Sequence, residues 1–159
     1  MNVAWRGYLL PRQIWQQFSA LPGSEEIASE FALERILSLY QEVEPGALCE
    51  VGSGIGTITF MLSMWRAYGT TLFAVEDNPW CWQQAEQNLG RLGETVIRYD
   101  KFPSYEIFDM IVVDGPQIGA AHWETCLADR AVVLFEGNRR EQRTVFEATI
   151  HRCGRRFCR

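Results

Sequence analysis

The chain has few of the features that mark metal sites, disulfide frameworks or membrane spans. Its five cysteines contain no C-x-x-C pair, so the sequence indicates neither a zinc site nor a disulfide framework. Its apolar runs are far too short to cross a bilayer, and polar residues interrupt the apolar ones near the N-terminus, so we expect no signal peptide. The net charge of −5 disfavours a general nucleic-acid binder. We therefore expect a cytoplasmic protein with no membrane and no nucleic-acid partner.

Nor does the sequence contain an internal repeat, a low-complexity segment or a linker. Its 159 residues suit one domain with a sizeable core. From residue 47 onward, short apolar segments alternate with helical ones, which is typical of a parallel sheet covered by helices on both faces. We predict a doubly wound α/β fold whose mainly parallel sheet has five strands. Residues 1–46 form an N-terminal helical segment that packs on the core of residues 47–159.

The predicted elements follow from the hydrophobic pattern and its turn signals. The strands are Ala47–Val51, Thr71–Val75, Thr95–Tyr99, Met110–Val113 and Ala131–Phe135. The helices between and after them run from about Thr57 to Tyr68, Pro79 to Leu92, Ile118 to Ala128 and Arg140 to Arg152. Upstream, a short helix spans Arg12 to Ala20. A second one begins with the serine cap at Ser24, continues to Pro45 and has an apolar face of Ile27, Phe31, Leu33, Ile36, Leu37 and Tyr40.

The first strand ends in a glycine turn of unusual spacing. Glu50 lies within the strand, and Gly52, Ser53, Gly54 and Gly56 follow before the helix. Glycines at such a turn let the backbone approach a ligand where a side chain would clash. The helix then offers its free N–H groups to a polar ligand. The third glycine comes one residue too early for the nicotinamide fingerprint G-x-G-x-x-G.

An acid two residues before G-x-G-x-G resembles motif I of the class I S-adenosylmethionine-dependent methyltransferases. The resemblance implies that the cofactor is S-adenosyl-L-methionine, that the turn packs against its methionine part and that Glu50 meets its ammonium. Glu76, 26 positions later at the end of the second strand, resembles the motif II acid that binds both ribose hydroxyls, a role Asp77 could share. Asp100, after the third strand, matches the acid that binds the adenine amino group. Trp80 and Phe102 are candidates to cover the adenine face.

The segment from Phe108 to Pro116 is similar to motif IV, whose terminal acid lies beside the transferred methyl. Here that acid is Asp114, and the Gly-Pro-Gln that follows matches neither the Pro-Pro-aromatic nor the Pro-Cys signature of nucleobase methyltransferases. Asp-Gly at this place resembles small-molecule O-methyltransferases instead, so the predicted partner is a small methyl acceptor. His122 is a candidate general base, although a helix-surface histidine is the commoner case.

Some such enzymes bind a divalent cation through acids after strands four and five. This chain offers Asp114, Glu136 and Asn138 as oxygen ligands. Their spacing is not the family's, so we predict no metal.

The sequence leaves two questions open: what covers the last strand of the sheet, and which function the chain has. The family has two further strands beyond strand five, and we expect this chain to lack that C-terminal hairpin. We therefore expect an exposed apolar edge at strand five, and either a partner, such as a second copy in a homodimer, covers it or the chain is a fragment. The predicted function is methyl transfer to oxygen of a small molecule. The alternatives are a catalytically silent binding scaffold and an NAD(P)-dependent oxidoreductase.

Overall fold

The structure is a computed structural model that describes residues 8–115 and 123–152. The strands in these ranges are β1 Ala47–Val51, β2 Thr71–Val75, β3 Val96–Tyr99, β4 Phe108–Val113 and β5 Leu127–Phe135. They form one sheet in the order β3-β2-β1-β4-β5, and every neighbouring pair is parallel. The sheet therefore extends from β1 to both sides, with β2 and β3 on one side and β4 and β5 on the other. This confirms the predicted doubly wound α/β fold.

Helices cover the sheet and connect its consecutive strands, except that β3 leads to β4 through a loop. They are α1 Pro11–Phe18, α2 Glu30–Val43, α3 Thr57–Trp65, α4 Pro79–Leu89, α5 Trp123–Cys126 and α6 Arg140–Arg152, with 3₁₀ turns at Ser24–Glu26 and Gly90–Thr95. Proline begins both α1 and α4, where its missing N–H costs nothing and its fixed φ favours the helix. In the described part of the chain, none of the helices is both long and apolar enough to cross a membrane.

Each face of the sheet carries its own apolar core. One core contains side chains of α1, α2 and α3 together with Leu48, Leu72 and Met110 of the central strands. The other contains Cys49, Val51 and residues of α6. Because side chains alternate along a strand, Glu50 lies on the same face as Leu48. The side chain of Glu50 is therefore buried in the interior, near the carboxyl end of a buried strand.

The second helix begins later than the sequence predicts. Ser24 opens only a 3₁₀ turn, and α2 begins at Glu30 with Ser29 as its N-cap, whose hydroxyl accepts from the Ala32 N–H at 3.1 Å. Two serines compete for the cap, and the left-handed Gly23 (φ +84°) sets the chain into a turn before Ser24. The helix therefore presents Phe31 to solvent, 76% exposed, instead of to the core.

The remaining boundary differences have local causes. The first helix spans Pro11–Phe18 rather than ending at Ala20. Helix α3 ends at Trp65, where the next residue, Arg66, leaves the helix and its guanidinium bonds to Thr95. Helix α4 ends at Leu89, because Gly90 (φ +50°) breaks it, and the 3₁₀ turn that follows delays the third strand by one residue.

The last two strands are longer than predicted. β4 begins at Phe108, and β5 begins at Leu127, which pairs with Phe108 across a register irregularity. The polar Asp129 and Arg130 hide this extension from a hydrophobic pattern. Of the helix predicted over 118–128, residues 118–122 lie outside the described residues, and the chain is already a strand from 127. Helix α6 has the predicted bounds.

Candidate active site

A cavity of about 490 Å³ lies across the carboxyl ends of β1, β2 and β4. Such crevices, where the strand order reverses, are the usual ligand sites of open α/β sheets. Five carboxylate side chains and one guanidinium line it among the described residues: Glu25, Glu26, Glu50, Glu76, Asp114 and Arg139. The cavity is therefore strongly acidic and favours a cationic ligand.

The glycine turn forms the cavity floor by backbone alone. Gly52, Gly54 and Gly56 all have positive φ, at +83°, +52° and +91°. A Cβ on Gly52 would lie 2.2 Å from the Cα of Gly115, so the turns after β1 and β4 touch backbone to backbone. A Cβ on Gly54 would meet nothing within 4 Å. The space over Gly54 is therefore open, and because Gly54 lines the cavity, its backbone is accessible to a ligand bound there.

Glu76 joins the turns after β1 and β2. Its Oε2 accepts from the Gly54 N–H at 2.8 Å, and its Oε1 accepts from the Asn78 N–H at 2.9 Å. The side chain is buried and fixed in one orientation. A carboxylate has about four acceptor sites, so each oxygen retains capacity for another donor. Glu76 can therefore accept from two neighbouring hydroxyls of a ligand.

Glu50 is a fully buried acid at the base of the cavity. The hydroxyl of Thr59, one turn into α3, donates to its Oε2. Burial raises the pKa of Glu50 to about 8, with the Thr59 hydrogen bond lowering it and the charge of Glu76 raising it. Such a carboxyl ionises readily only when a positive group approaches. Glu50 is thus suited to a ligand ammonium.

Asp114 lies at the far side of the cavity with Glu136 and Arg139. Burial first, then the hydrogen bond and charge of Glu136, raise the pKa of Asp114 to about 9, and Arg139 opposes the shift. The Arg139 Nη2 lies 3.7 Å from the Asp114 Oδ1 and donates to its main-chain oxygen. This corner therefore combines a carboxyl of raised pKa with a fixed positive charge.

Two buried hydroxyls in the cavity wall have no partner. The side chains of Ser53 and Thr57 are 5% and 3% exposed, and neither hydroxyl has a hydrogen-bond partner among the described residues. Both residues line the cavity. Because an unsatisfied buried hydroxyl costs free energy, these groups fit a polar ligand atom placed between them.

The segment 21–28, called the strap below, forms part of the cavity wall through Gly23 and residues 25–28. Gly23 lies against Trp80 and Ile55: a Cβ there would come within 2.7 Å of the Trp80 ring and 2.9 Å of Ile55. The strap brings Glu25 and Glu26 to the cavity wall. The N-terminal part of the chain therefore contributes to the site as well as to the core.

The structure brings together most of the residues that the sequence singled out. Glu50, Gly52, Ser53, Gly54, Glu76 and Asp114 all line the cavity. Gly56 lies beneath it, where a Cβ would be 3.3 Å from Ala85, so it allows α3 and α4 to pack closely. Trp80 lines the cavity, whereas Phe102 packs on Phe108 with 5.8 Å between ring centroids.

Asp77 and Asp100 are exposed and do not line this cavity, so their roles stay predictions. His122 lies outside the described residues. Asn138 is exposed, and only Asp114 and Glu136 of the alternative metal set come together. In the described ranges, no cluster of three or more His, Cys, Asp or Glu side chains suits a metal.

Sequence reasoning missed Thr59, Arg139 and the strap with Glu25 and Glu26. Thr59 belongs to no recognisable motif. Its role depends on which face of α3 is turned toward β1, and the sequence pattern does not show this. Arg139 follows strand five at the same level as the predicted acids, so its position past a strand end was the one available signal. The Pro22-Gly23 pair indicates a turn but gives no direction for the strap.

The fold is shared with solved structures of methyltransferases. Three solved structures illustrate the likeness. A methyltransferase from Podospora anserina, bound to S-adenosylhomocysteine, matches with TM-score 0.64 and 15% identity over 79% of this chain and 61% of its own. An O-methyltransferase from Bacillus cereus, also in complex with that ligand, gives TM-score 0.53 and 19% identity over 67% of this chain and 54% of its own. A precorrin-6y methyltransferase from Geobacter metallireducens gives TM-score 0.65 and 15% identity over 82% of this chain and 74% of its own.

This chain thus spans about three fifths or less of the first two structures. No protein-family model matches the sequence, and no curated protein matches it either. At sequence identities of 15% to 19%, this likeness establishes the fold alone.

Proposed function

We propose that the chain binds S-adenosyl-L-methionine in this cavity and transfers its methyl group to oxygen of a small molecule. The observation that carries the proposal is the set of acceptors around the glycine turn. Glu76 offers two oriented oxygens for a ribose diol, and Glu50 offers a buried carboxyl for an ammonium. The O-methyltransferase from Bacillus cereus supports oxygen as the target.

The cavity also offers partners for the other groups of S-adenosyl-L-methionine. The unpaired Ser53 and Thr57 hydroxyls suit the methionine carboxylate. The acidic lining offsets the positive charge of the sulfonium. Trp80 offers a ring in the cavity wall. The resemblance in sequence and the likeness in fold therefore point to the same ligand.

When bound, the cofactor supplies an electrophilic methyl on a sulfonium. The chain's part is to orient both reactants and to accept the proton of the acceptor hydroxyl. Asp114 is the candidate for this base, because it lies beyond Glu50 on the β4 side of the cavity. Its pKa of about 9 makes it a strong base once ionised. We therefore expect the rate of transfer to rise with pH toward 9, and Asp114→Asn to lower it by roughly 10² to 10⁴.

Calorimetric titration with S-adenosylhomocysteine, with NAD as comparator, tests the cofactor assignment. We expect micromolar binding, about −8 kcal/mol, and no comparable binding of NAD. Glu76→Gln should abolish it, because an amide N–H would face the N–H of Gly54 or Asn78. Asp77→Asn, at the exposed neighbouring acid, is the matched control and should bind normally.

Three outcomes would contradict parts of this scheme. Loss of binding in Asp77→Asn with retention in Glu76→Gln would transfer the ribose role to Asp77. Tighter binding of NAD would favour the oxidoreductase alternative. Failure of a folded chain to bind either ligand would remove the proposed cofactor site altogether.

A further inference from the structure

Arg139 is the one cationic side chain that lines the cavity in the described part of the chain. It follows β5, three strands away from the Glu76 end of β2 in the sheet order. Neighbouring strands lie about 4.8 Å apart, so the two ends of the crevice are separated by roughly 14 Å. Arg139 therefore belongs to the end opposite the proposed ribose site.

The guanidinium of Arg139 is only partly used by the protein. Its Nη2 donates to the main-chain oxygen of Asp114 and lies 3.7 Å from the Asp114 Oδ1, and its Nε is buried with no partner in the described residues. Beside it, Gln142 donates through Nε2 to the Gly115 oxygen at 2.8 Å, which leaves its own buried Oε1 without a partner. Arginine has five N–H donors in a rigid fork, and most of those on Arg139 have no acceptor within the described ranges. A buried donor without an acceptor is costly unless a ligand satisfies it.

A second concavity of about 520 Å³ adjoins the first at this residue. Among the described residues it is lined by Asn138, Arg139, Arg140, Glu141 and Gln142. Because Arg139 lines both, it stands at the junction between the acid-lined crevice and a polar recess at the start of α6. The recess is large enough for a small organic molecule that reaches Asp114 with one end.

We propose that Arg139 binds an anionic group of the methyl acceptor, so that the acceptors of this protein are small hydroxylated carboxylic acids or comparably charged anions. This inference rests on the proposed function above. The buried hydroxyls of Ser53 and Thr57 are available for the methionine carboxylate of the cofactor, whereas Arg139 also lines the neighbouring recess, where an acceptor would lie. Toward an acceptor, a guanidinium fork pairs with a carboxylate in two parallel hydrogen bonds. Such a pair would fix the acceptor with its hydroxyl directed at Asp114.

The experiment compares acid and amide forms of the same hydroxylated compound. Salicylate with salicylamide and 4-hydroxybenzoate with 4-hydroxybenzamide are titrated into the chain, alone and saturated with S-adenosylhomocysteine, and are then offered as acceptors of a labelled methyl. The variants are Arg139→Gln and Arg139→Lys. Arg143→Gln is the matched control, because Arg143 is an exposed arginine one turn further along α6.

We expect the acids to bind at least about tenfold more tightly than the amides. Arg139→Gln should reduce the ratio of acid to amide affinities, measured by titration of the chain saturated with S-adenosylhomocysteine, to about two or less, and Arg139→Lys should restore part of it. A merely structural arginine would instead lower the unfolding midpoint and affect acids and amides alike. Equal use of acids and amides, persistence of the ratio in Arg139→Gln, or failure of every acid to bind would overturn the inference.

The cofactor titration separates this inference from the proposed function. Arg139-dependent binding of the acids by a chain that does not bind S-adenosylhomocysteine would keep the anion site and remove the methyltransferase proposal. Binding of S-adenosylhomocysteine without any acid preference would keep the proposal and remove the anion site.

Discussion

Glu50 is a buried acid whose carboxyl group has one hydrogen-bond donor among the described residues, the hydroxyl of Thr59, nine residues away. The donor fixes one oxygen and leaves the other for a ligand. It also keeps the pKa of Glu50 lower than burial alone would set it. Without that hydroxyl, the carboxyl would be harder to ionise and less well oriented toward an ammonium.

Replacing Thr59 by Val tests this contact with almost no change in shape. We expect S-adenosylhomocysteine to bind roughly tenfold more weakly at pH 7, because a hydrogen bond to a charged acceptor contributes about 1.5 kcal/mol or more. Thr59→Ser keeps the hydroxyl and should restore most of the affinity. Titration calorimetry on both variants measures the difference. Equal affinities of the valine and serine variants would show that the hydroxyl does not act through Glu50.

At the scale of elements, the strap of residues 21–28 is held over the cavity by the fit of Gly23 against Trp80 and Ile55. Its φ of +84° is a conformation that a residue with a side chain rarely adopts. Both the backbone angle and the contact therefore require glycine here. The strap position should depend on this one residue.

Gly23→Ala should weaken S-adenosylhomocysteine binding several-fold, because the added methyl pushes the strap or Trp80 out of place. Gly69→Ala is the control, since Gly69 has a similar φ of +99° but nothing within 4 Å of its Cβ position. Both substitutions should cost about 1 kcal/mol of stability through backbone strain. Urea denaturation and calorimetry on the pair separate the two effects. Equal binding by both variants would exclude the strap from the site.

The order of elements could be predicted from the sequence, because alternating apolar strands and helical segments admit few arrangements of a parallel sheet. The acids at the strand ends could be predicted for the same reason, since parallel strands end at one edge. The start of α2 could not, because Ser24 and Ser29 are equally good caps until Gly23 sets the direction of the chain. Thr59 and Arg139 could not either, because their roles depend on contacts between elements far apart in sequence.

For the whole molecule, buried carboxyls make stability depend on pH in an unusual direction. The folded chain raises the pKa of Glu50 from 4.5 to about 8 and that of Asp114 from 3.8 to about 9. At pH values between the ordinary pKa and the folded-state pKa of each group, the folded state binds more protons than the unfolded state. Their contribution to stability is therefore complete below pH 4 and is lost as the pH rises through 8 and 9.

We expect the free energy of unfolding of the ligand-free chain to fall steadily between pH 5 and pH 9. Urea denaturation at several pH values measures it. The double variant Glu50→Gln and Asp114→Asn removes both groups and should flatten the profile. A ligand-free chain that becomes more stable over this range would contradict the assigned burial of the two acids. A cationic ligand should reduce the loss, because it stabilises ionised Glu50.

The contact between Gly52 and Gly115 has a consequence for anyone who diversifies this protein in the laboratory. A Cβ on either residue would collide with the main chain of the other, at 2.2 and 2.6 Å, so no choice of partner side chain can compensate. Randomising the two positions together would yield no more survivors than randomising them singly. A library aimed at new acceptors should therefore hold this pair constant and vary the residues that line the recess instead.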